Sequence, residues 1–73
     1  MTNEKEEVMK DKAEFYLAEK IKVHINKTNK TFLNGYFVEK KNDSVFIFKD
    51  NKLGLIHLFL AEIYDIEEYQ EEV

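Results

Sequence analysis

The chain has no cysteine, no proline, no arginine and only two glycines. Without cysteine it cannot form disulfides, thiolate metal sites or a cysteine nucleophile, and it suits a reducing compartment. Without arginine it lacks the bidentate fork that dominates phosphate and base recognition, so lysine is left as a point charge. No apolar run approaches the roughly 18 residues of a membrane-spanning helix, and the acidic start is unlike a signal peptide. We therefore expect a cytoplasmic protein that does not bind membranes.

The chain is short, with 73 residues, which predicts a single domain over residues 1–73. A domain of this size buries only roughly 60% of the surface that its unfolded chain exposes, so it is marginal unless it is crosslinked or assembled. Aromatic residues make up 14% of the chain, as six Phe and four Tyr. Because the chain cannot form a disulfide, oligomerisation is the expected extra source of burial.

The formal net charge of −4 conceals an uneven distribution of charge. Residues 1–19 carry three lysines and six acids, residues 20–52 carry eight lysines and three acids, and residues 53–73 carry six acids and no lysine. The central segment is therefore basic, and both flanking segments are acidic. Lysines at the turns of the central segment could follow a phosphate backbone, and they could equally be ordinary solubility and edge-protection residues.

Residues 3–19 have the period of an amphipathic helix. Apolar residues recur at three-to-four-residue spacing from Val8 to Tyr16. Asn3, with Glu6 three residues later, resembles a capping box at the helix start. The apolar stripe is narrow, so we expect the helix to lie across one end of a sheet. A detachable helix that binds a partner is the alternative.

The rest of the chain is typical of short antiparallel strands joined by tight polar turns. Apolar and polar residues alternate strictly from Lys20 to Asn26, and Val45 to Phe48 form an unbroken apolar run. The predicted strands cover residues 20–26, 31–39, 44–49, 55–60 and 63–66, in a barrel of about residues 20–67 that is followed by an acidic tail over residues 68–73.

The second predicted strand organises this fold, because its single glycine, Gly35, lies near its middle. A lone glycine in a strand marks a bulge, a bend or a close approach of backbone. Apolar residues occupy both faces of this strand, which calls for cover from a closed barrel, a helix or a partner subunit. The sequence therefore predicts a mainly β protein with one N-terminal helix and a five-stranded, strongly bent antiparallel SH3-like barrel.

Several short motifs follow one another in a recognisable order. They are an aromatic-Leu pair that ends the helix, an alternating first strand, an Asn in the first turn, a Leu-x-Gly-x-Phe second strand, an acid before the third strand and a closing Ile-x-x-Ile. In this chain they are Tyr16-Leu17, Ile21 to Ile25, Asn29, Leu33 to Phe37, Asp43 and Ile63 to Ile66. From Phe15 to about Tyr69 the sequence thereby resembles the Sm-like (Lsm) family, most of all its Hfq branch of bacterial RNA chaperones.

The resemblance implies a homo-oligomeric ring, a hexamer or heptamer, that binds RNA or another single-stranded nucleic acid. Sm-like subunits pair through their fourth and fifth strands, and the turn between the second and third strands faces the pore. The implied interface residues are Leu55, Ile56, Leu58, Phe59, Leu60, Ile63, Tyr64 and Ile66. The implied nucleic-acid-binding residues are Lys40, Lys41, Asn42 and Asp43.

The chain differs from the family at the positions whose residues bind RNA in Sm-like proteins. Sm proteins follow the Asp of the second-to-third strand turn with an aromatic residue or Met and an Asn that hold a base, whereas apolar residues follow Asp43 here. The last turn supplies Arg-Gly in Sm proteins or Tyr-Lys-His in the Hfq branch, but it reads Phe-Leu-Ala-Glu over residues 59–62 here. The alternative function is therefore a protein-interaction module or structural oligomer that does not bind nucleic acid.

Catalysis is not expected from this sequence. His24 and His57 have no neighbouring triad motif, and neither a glycine-rich phosphate loop nor an HExxH helix occurs. No carboxylate or second histidine lies at ligand spacing from His57, so we expect no metal site and no cofactor. His24 is expected to face solvent from the first strand.

Overall fold

The computed structural model describes residues 4–70, so the predicted capping residue Asn3 lies outside the described residues. One helix and five strands occur in the predicted order, and a 3₁₀ turn occupies the predicted break before the fifth strand. The helix ends where Lys20 takes a positive φ of 56°. The elements are α1 (Glu4–Glu19), β1 (Val23–Lys27), β2 (Phe32–Lys40), β3 (Val45–Asp50), β4 (Gly54–Phe59), the 3₁₀ turn (Leu60–Glu62) and β5 (Ile63–Glu68).

All five strands belong to one antiparallel sheet with the order β4-β3-β2-β1-β5. Consecutive strands from β1 to β4 pair as hairpins, and β5 returns to pair with β1. The strand β5 continues to Glu68, beyond Ile66 where the sequence predicted its end, because Glu67 and Glu68 pair with His24 and Val23. The prediction of a mainly β protein with one N-terminal helix and five antiparallel strands is confirmed.

The prediction of a closed barrel is wrong, because β4 and β5 are the two edges of an open sheet and do not pair with each other. The 3₁₀ turn explains the separation of these two strands. At its start the Leu60 N–H donates to the Ser44 carbonyl, and at its end the Glu62 carbonyl accepts from the Thr28 N–H. The turn is thus tied to the end regions of two different strands, β3 and β1, and it leads the chain away from β4 before β5 begins.

The glycine of β2 is required by a close approach of backbone. In the register of the sheet Gly35 lies opposite Asp50 of β3. A Cβ atom at Gly35 would lie 1.9 Å from the Lys49 carbonyl oxygen and 2.9 Å from the Lys49 carbonyl carbon. The register shift between β2 and β3 falls at Val38, between Phe37 and Glu39. Of the three roles left open by the sequence, the structure shows close approach at Gly35 and an irregularity three residues later.

One face of the sheet and the inner side of α1 form the hydrophobic core. Buried residues alternate with less buried ones along β2 and β3, as the two-residue period of a strand requires. The Phe37 ring packs edge-on against Phe46 and Phe48, at centroid distances of 5.5 and 5.2 Å. The buried residues of α1 are Met9 and Ala13, so the helix lies on β2, β5 and the 3₁₀ turn through a narrow stripe.

The opposite face of the sheet carries exposed apolar side chains. On β2 these are Phe32, Tyr36 and Val38, which point away from the core. The apolar residues on both faces of β2 therefore have cover on one face only within residues 4–70. Antiparallel sheets can leave one face in contact with solvent, but an apolar outer face is a feature of sheets that make further contacts.

Candidate assembly edges and nucleic-acid turn

The edge strand β4 is apolar and has no covering element on its outer side among the described residues. Leu55 is 66% exposed and Phe59 is 47% exposed, and both belong to the outer face of the sheet. No lysine or acid lies between Gly54 and Phe59. Natural proteins protect such edges with charges, proline or bulges, because an unpaired strand edge is a template for pairing with another chain.

The other edge strand, β5, is mixed in character. Tyr64 is 63% exposed, and the Lys5 ammonium lies 4.9 Å from the centre of its ring. The other exposed residues of this strand are Glu67 and Glu68. Asp65 is partly buried and accepts a hydrogen bond of 3.2 Å from Lys12. The two edges of the sheet thus differ in charge, since β5 is acidic and β4 is uncharged.

The implied interface residues fall into three groups in the structure. The side chains of Leu58, Leu60, Ile63 and Ile66 are buried in the core of this chain, with at most 3% exposure. Ile56 is partly buried and packs against that core. The exposed members are Leu55, Phe59 and Tyr64, which are the ones whose side chains could meet a neighbouring subunit.

The implied nucleic-acid-binding residues form the tight turn between β2 and β3. The Lys41 and Asn42 N–H groups donate to the Val45 carbonyl oxygen, at 3.0 and 3.2 Å. The Asn42 Oδ1 atom accepts a hydrogen bond of 2.8 Å from the Ser44 N–H, which is an Asx turn. The structure therefore brings Lys40, Lys41, Asn42 and Asp43 together, and the Asn42 side chain supports the turn through its oxygen.

The positive charge of Lys40 is paired with two carboxylates of this chain. Its Nζ lies 2.5 Å from Glu14 Oε1 on α1 and 3.2 Å from Asp43 Oδ1 in the turn. The hydrogen bond to Glu14, followed by the one to Asp43, raises the pKa of the Lys40 ammonium above its ordinary value. This arrangement favours a charged Lys40, but it also surrounds the ammonium with negative charge that opposes phosphate.

Glu14 is the residue at this turn that sequence reasoning missed. It lies 26 positions before Lys40, and no local motif connects the two residues. The neighbouring Lys41 is exposed, and no carboxylate among residues 4–70 forms an ion pair with it. In this turn the charge of Lys40 is therefore already paired with carboxylates, and the charge of Lys41 is available to a ligand.

The two histidines lie on the outer face of the sheet, in different settings. The His24 ring lies 2.6 Å from the Asn34 side-chain oxygen and packs 5.3 Å from the Phe32 ring. His57 is exposed on β4, opposite Ile47 of β3. Within residues 4–70 no group of three or more His, Cys, Asp or Glu side chains could hold a metal ion.

Comparison with protein-family models finds no match for this chain, and comparison with curated proteins finds none either. No helix in the described part of the chain is long and apolar enough to cross a membrane. The open sheet, its two unlike edges and the turn at Lys40 and Lys41 are therefore the observations from which a function can be inferred.

Proposed function

We propose that the protein is a divergent Sm-like subunit that assembles into a homo-oligomeric ring through β4 of one copy and β5 of the next. The observation that carries this proposal is the pair of unpaired edges. Every other strand of the sheet has a partner on both sides, and each edge displays exposed apolar side chains, Leu55 and Phe59 on β4 and Tyr64 on β5. Pairing the two edges satisfies backbone groups and buries these side chains.

The two edges are different surfaces, which determines the kind of assembly. A contact between unlike surfaces is heterologous, so each added copy leaves one β4 edge and one β5 edge free. Such a chain of copies closes into a ring when the rotation between neighbours allows it. The resemblance to Sm-like proteins supports a hexamer or heptamer.

A glutamate at the exposed end of β4 is expected to weaken this assembly. Phe59→Glu places a charge on the edge and removes apolar surface that the neighbouring subunit would bury, both of which disfavour strand addition. We expect sedimentation velocity at micromolar concentration to show a ring for the natural chain and mainly the 8.8 kDa monomer for the variant.

Phe32→Glu is the matched control for this experiment. Phe32 is 61% exposed and lies on the same face of the sheet, but it belongs to the interior strand β2. The control variant should keep the ring. A natural chain that sediments only as a monomer, or a Phe59→Glu variant that assembles like the natural chain, contradicts assembly through β4.

Binding of a single-stranded nucleic acid is the second candidate function. The supporting observation is Lys41, an exposed lysine without an ion pair among the described residues, in a turn that a ring would repeat in every subunit. Repetition lets several weak contacts act together. One observation opposes this function, since Lys40 already forms ion pairs with Glu14 and Asp43. We therefore expect weak binding that depends mainly on Lys41.

Fluorescence anisotropy with oligo-U and oligo-A at about 50 mM salt tests this binding, because electrostatic contacts are strong at low ionic strength. Lys41→Ala should weaken binding of both oligonucleotides alike, and Lys40→Ala should have a smaller effect. Glu14→Gln should strengthen binding, because it removes the carboxylate that holds the Lys40 ammonium.

Lys49→Ala serves as the control, since Lys49 is an exposed lysine near the opposite end of β3. Binding that is equally sensitive to Lys49 and Lys41 would place the nucleic acid elsewhere. If no oligonucleotide binds even at low salt, the ring acts as a protein-interaction module or a structural oligomer.

A further inference from the structure

A shallow pocket lies where the start of β2 meets the turn between β3 and β4. Its volume is about 250 Å³, and its apolar walls include Phe32 and Leu53, which are 61% and 67% exposed. Its less exposed polar side chains already have partners in this chain, since Asn34 contacts His24 and Asp50 accepts three backbone N–H groups. A dry apolar cavity of about 150 Å³ is large enough to bind benzene. The pocket therefore has room for one aromatic side chain, whose entry would break none of these hydrogen bonds.

Three lysines lie in or beside the segments that form this pocket. Lys52 lines it, Lys49 directly precedes Asp50, and Lys30 lies two residues before Phe32. All three lysines are exposed, and no carboxylate among residues 4–70 forms an ion pair with any of them. The pocket thus combines apolar walls with a positive surrounding, which suits an aromatic side chain that has acids beside it.

One stripe of α1 has this complementary composition. Residues 4, 8, 11, 15 and 19 recur at three-to-four-residue spacing, so they share one side of the helix. Val8 and Phe15 are its apolar members, with 50% and 55% exposure. Its other members are exposed acids that form no ion pair among the described residues, Glu4, Asp11 and Glu19. We call these five residues the acidic stripe.

The acidic stripe does not fill the pocket of its own chain. The Phe15 ring is not among the groups that line the pocket. Glu14, which precedes it, pairs with Lys40 at the end of β2, whereas Phe32 begins that strand. A second copy of the chain presents the same stripe from outside, with the charge and the aromatic ring that the pocket suits.

We propose that Phe15 of one copy inserts into the pocket between Phe32 and Leu53 of another copy, where the acids of its stripe face the lysines. The contact joins unlike surfaces, so each added copy leaves one pocket and one stripe free. One aromatic side chain and a few exposed charges make a weak contact, but a ring would repeat it in every subunit and so strengthen the stacking of one ring on the next. The inference goes beyond the proposed ring and does not need it, because two single copies can form the same contact.

Two substitutions disable the two halves of this contact separately. Phe15→Lys removes the ring and brings positive charge to the lysines, and Leu53→Glu brings negative charge to the acids. Both variants also carry Phe59→Glu, which weakens contacts through β4. An isotope-labelled Leu53→Glu chain keeps its stripe, and an unlabelled Phe15→Lys chain keeps its pocket. In an NMR titration we expect amide shifts of the labelled chain at Val8, Asp11 and Phe15, with a Kd at least about tenfold lower than for either variant with itself.

The controls change only the unlabelled chain. Unlabelled Leu53→Glu has lost its pocket and should shift nothing. Val38→Glu introduces the same charge at a position of β2 that is 48% exposed and does not line the pocket, so it should shift the stripe as Phe15→Lys does. The Kd should rise at about 1 M salt, because exposed charges are then screened. Circular dichroism establishes that each exposed substitution leaves the fold intact.

The results separate this contact from the ring. Stripe amides that do not shift at about 1 mM unlabelled chain with an intact pocket overturn the proposal. Equal shifts with Leu53→Glu as the unlabelled chain also overturn it, because the pocket is then not the site. A natural chain that forms no ring leaves this test unaffected, since Phe59→Glu is present throughout. If rings form, sedimentation should show larger species that grow with concentration and that both Phe15→Lys and Leu53→Glu abolish, and stacking that survives both substitutions contradicts the contact.

Discussion

Replacing Gly35 with valine is expected to destabilise the protein by about 3 kcal/mol or more, which is at the upper end of overpacking effects in protein cores. The first atom of any side chain at this position would lie 1.9 Å from the Lys49 carbonyl oxygen. That atom is backbone, so no rotamer change relieves the clash and β3 must move away from β2. Movement of β3 would disturb the Phe37, Phe46 and Phe48 contacts as well.

Thermal unfolding followed by circular dichroism measures this effect. A loss of about 3 kcal/mol lowers the melting temperature of a domain of this size by about 12 °C or more. Tyr36→Val introduces the same residue one position later, on the exposed face of β2, and should change the melting temperature little. Because assembly adds stability, all variants are compared at one protein concentration. Equal melting temperatures for the two variants would contradict the close approach at Gly35.

The strand pattern was predictable because burial in this sheet follows the two-residue period closely. Leu33 and Phe37 of β2 are buried, as the alternation around Gly35 requires. The special role of Gly35 was predictable too, since a glycine in a run of β-forming residues has few explanations. Which explanation holds was not predictable, because the Lys49 carbonyl that excludes a side chain is 14 positions away in sequence.

Closure of the sheet could not be predicted from the strands themselves. Whether β4 and β5 pair is decided by the 3₁₀ turn and by its hydrogen bonds to Ser44 and Thr28, which come from other parts of the chain. A three-residue connection between two apolar segments is compatible with a hairpin and with a crossover. The sequence therefore predicts the strand order along the chain better than it predicts which edges remain open.

The same limit applies to the candidate nucleic-acid turn. Lys40 and Lys41 are equivalent in sequence, but α1 places Glu14 beside Lys40 and leaves Lys41 without an ion pair among the described residues. Local sequence predicts the turn, and the Asx geometry found there is also local, because Asn42 and Ser44 are only two residues apart. It does not predict the charge that a ligand would meet, which depends on the docking of the helix.

Asp50 is the second residue whose replacement should have a large effect. In the sequence Asp50 is simply an acidic residue at a polar turn, but in the structure it is only 7% exposed. Its Oδ1 atom accepts a hydrogen bond from the Asn34 N–H at 3.2 Å, and its Oδ2 atom accepts from the Lys52 and Leu53 N–H groups at 2.8 and 2.9 Å. This carboxylate thus connects β2 to the turn that precedes β4.

Asp50→Ala is expected to destabilise the protein by about 2–4 kcal/mol, because three backbone N–H groups lose their acceptor. Asp50→Asn should cost less, since an amide keeps one acceptor oxygen, but its NH₂ group then faces at least one N–H donor. Urea unfolding at neutral pH measures both changes. Asp43→Ala, in the exposed turn between β2 and β3, is the control and should remain within about 0.5 kcal/mol of the natural chain.

The pH dependence of the Asp50→Asn difference distinguishes the charge from the shape of the side chain. Burial by itself raises the pKa of Asp50, but the hydrogen bonds from Leu53, Lys52 and Asn34, with the nearby Lys52 charge, outweigh it and leave the pKa below its ordinary value of 3.8. A carboxyl with a lowered pKa stabilises the folded state above the ordinary pKa, and this stabilisation is lost as the pH falls through the folded value. The natural chain should therefore exceed Asp50→Asn in stability by a constant amount between about pH 5 and pH 7, and the gap should close below about pH 4. A gap of unchanged size at about pH 2.5 would mean that Asp50 acts through its shape alone.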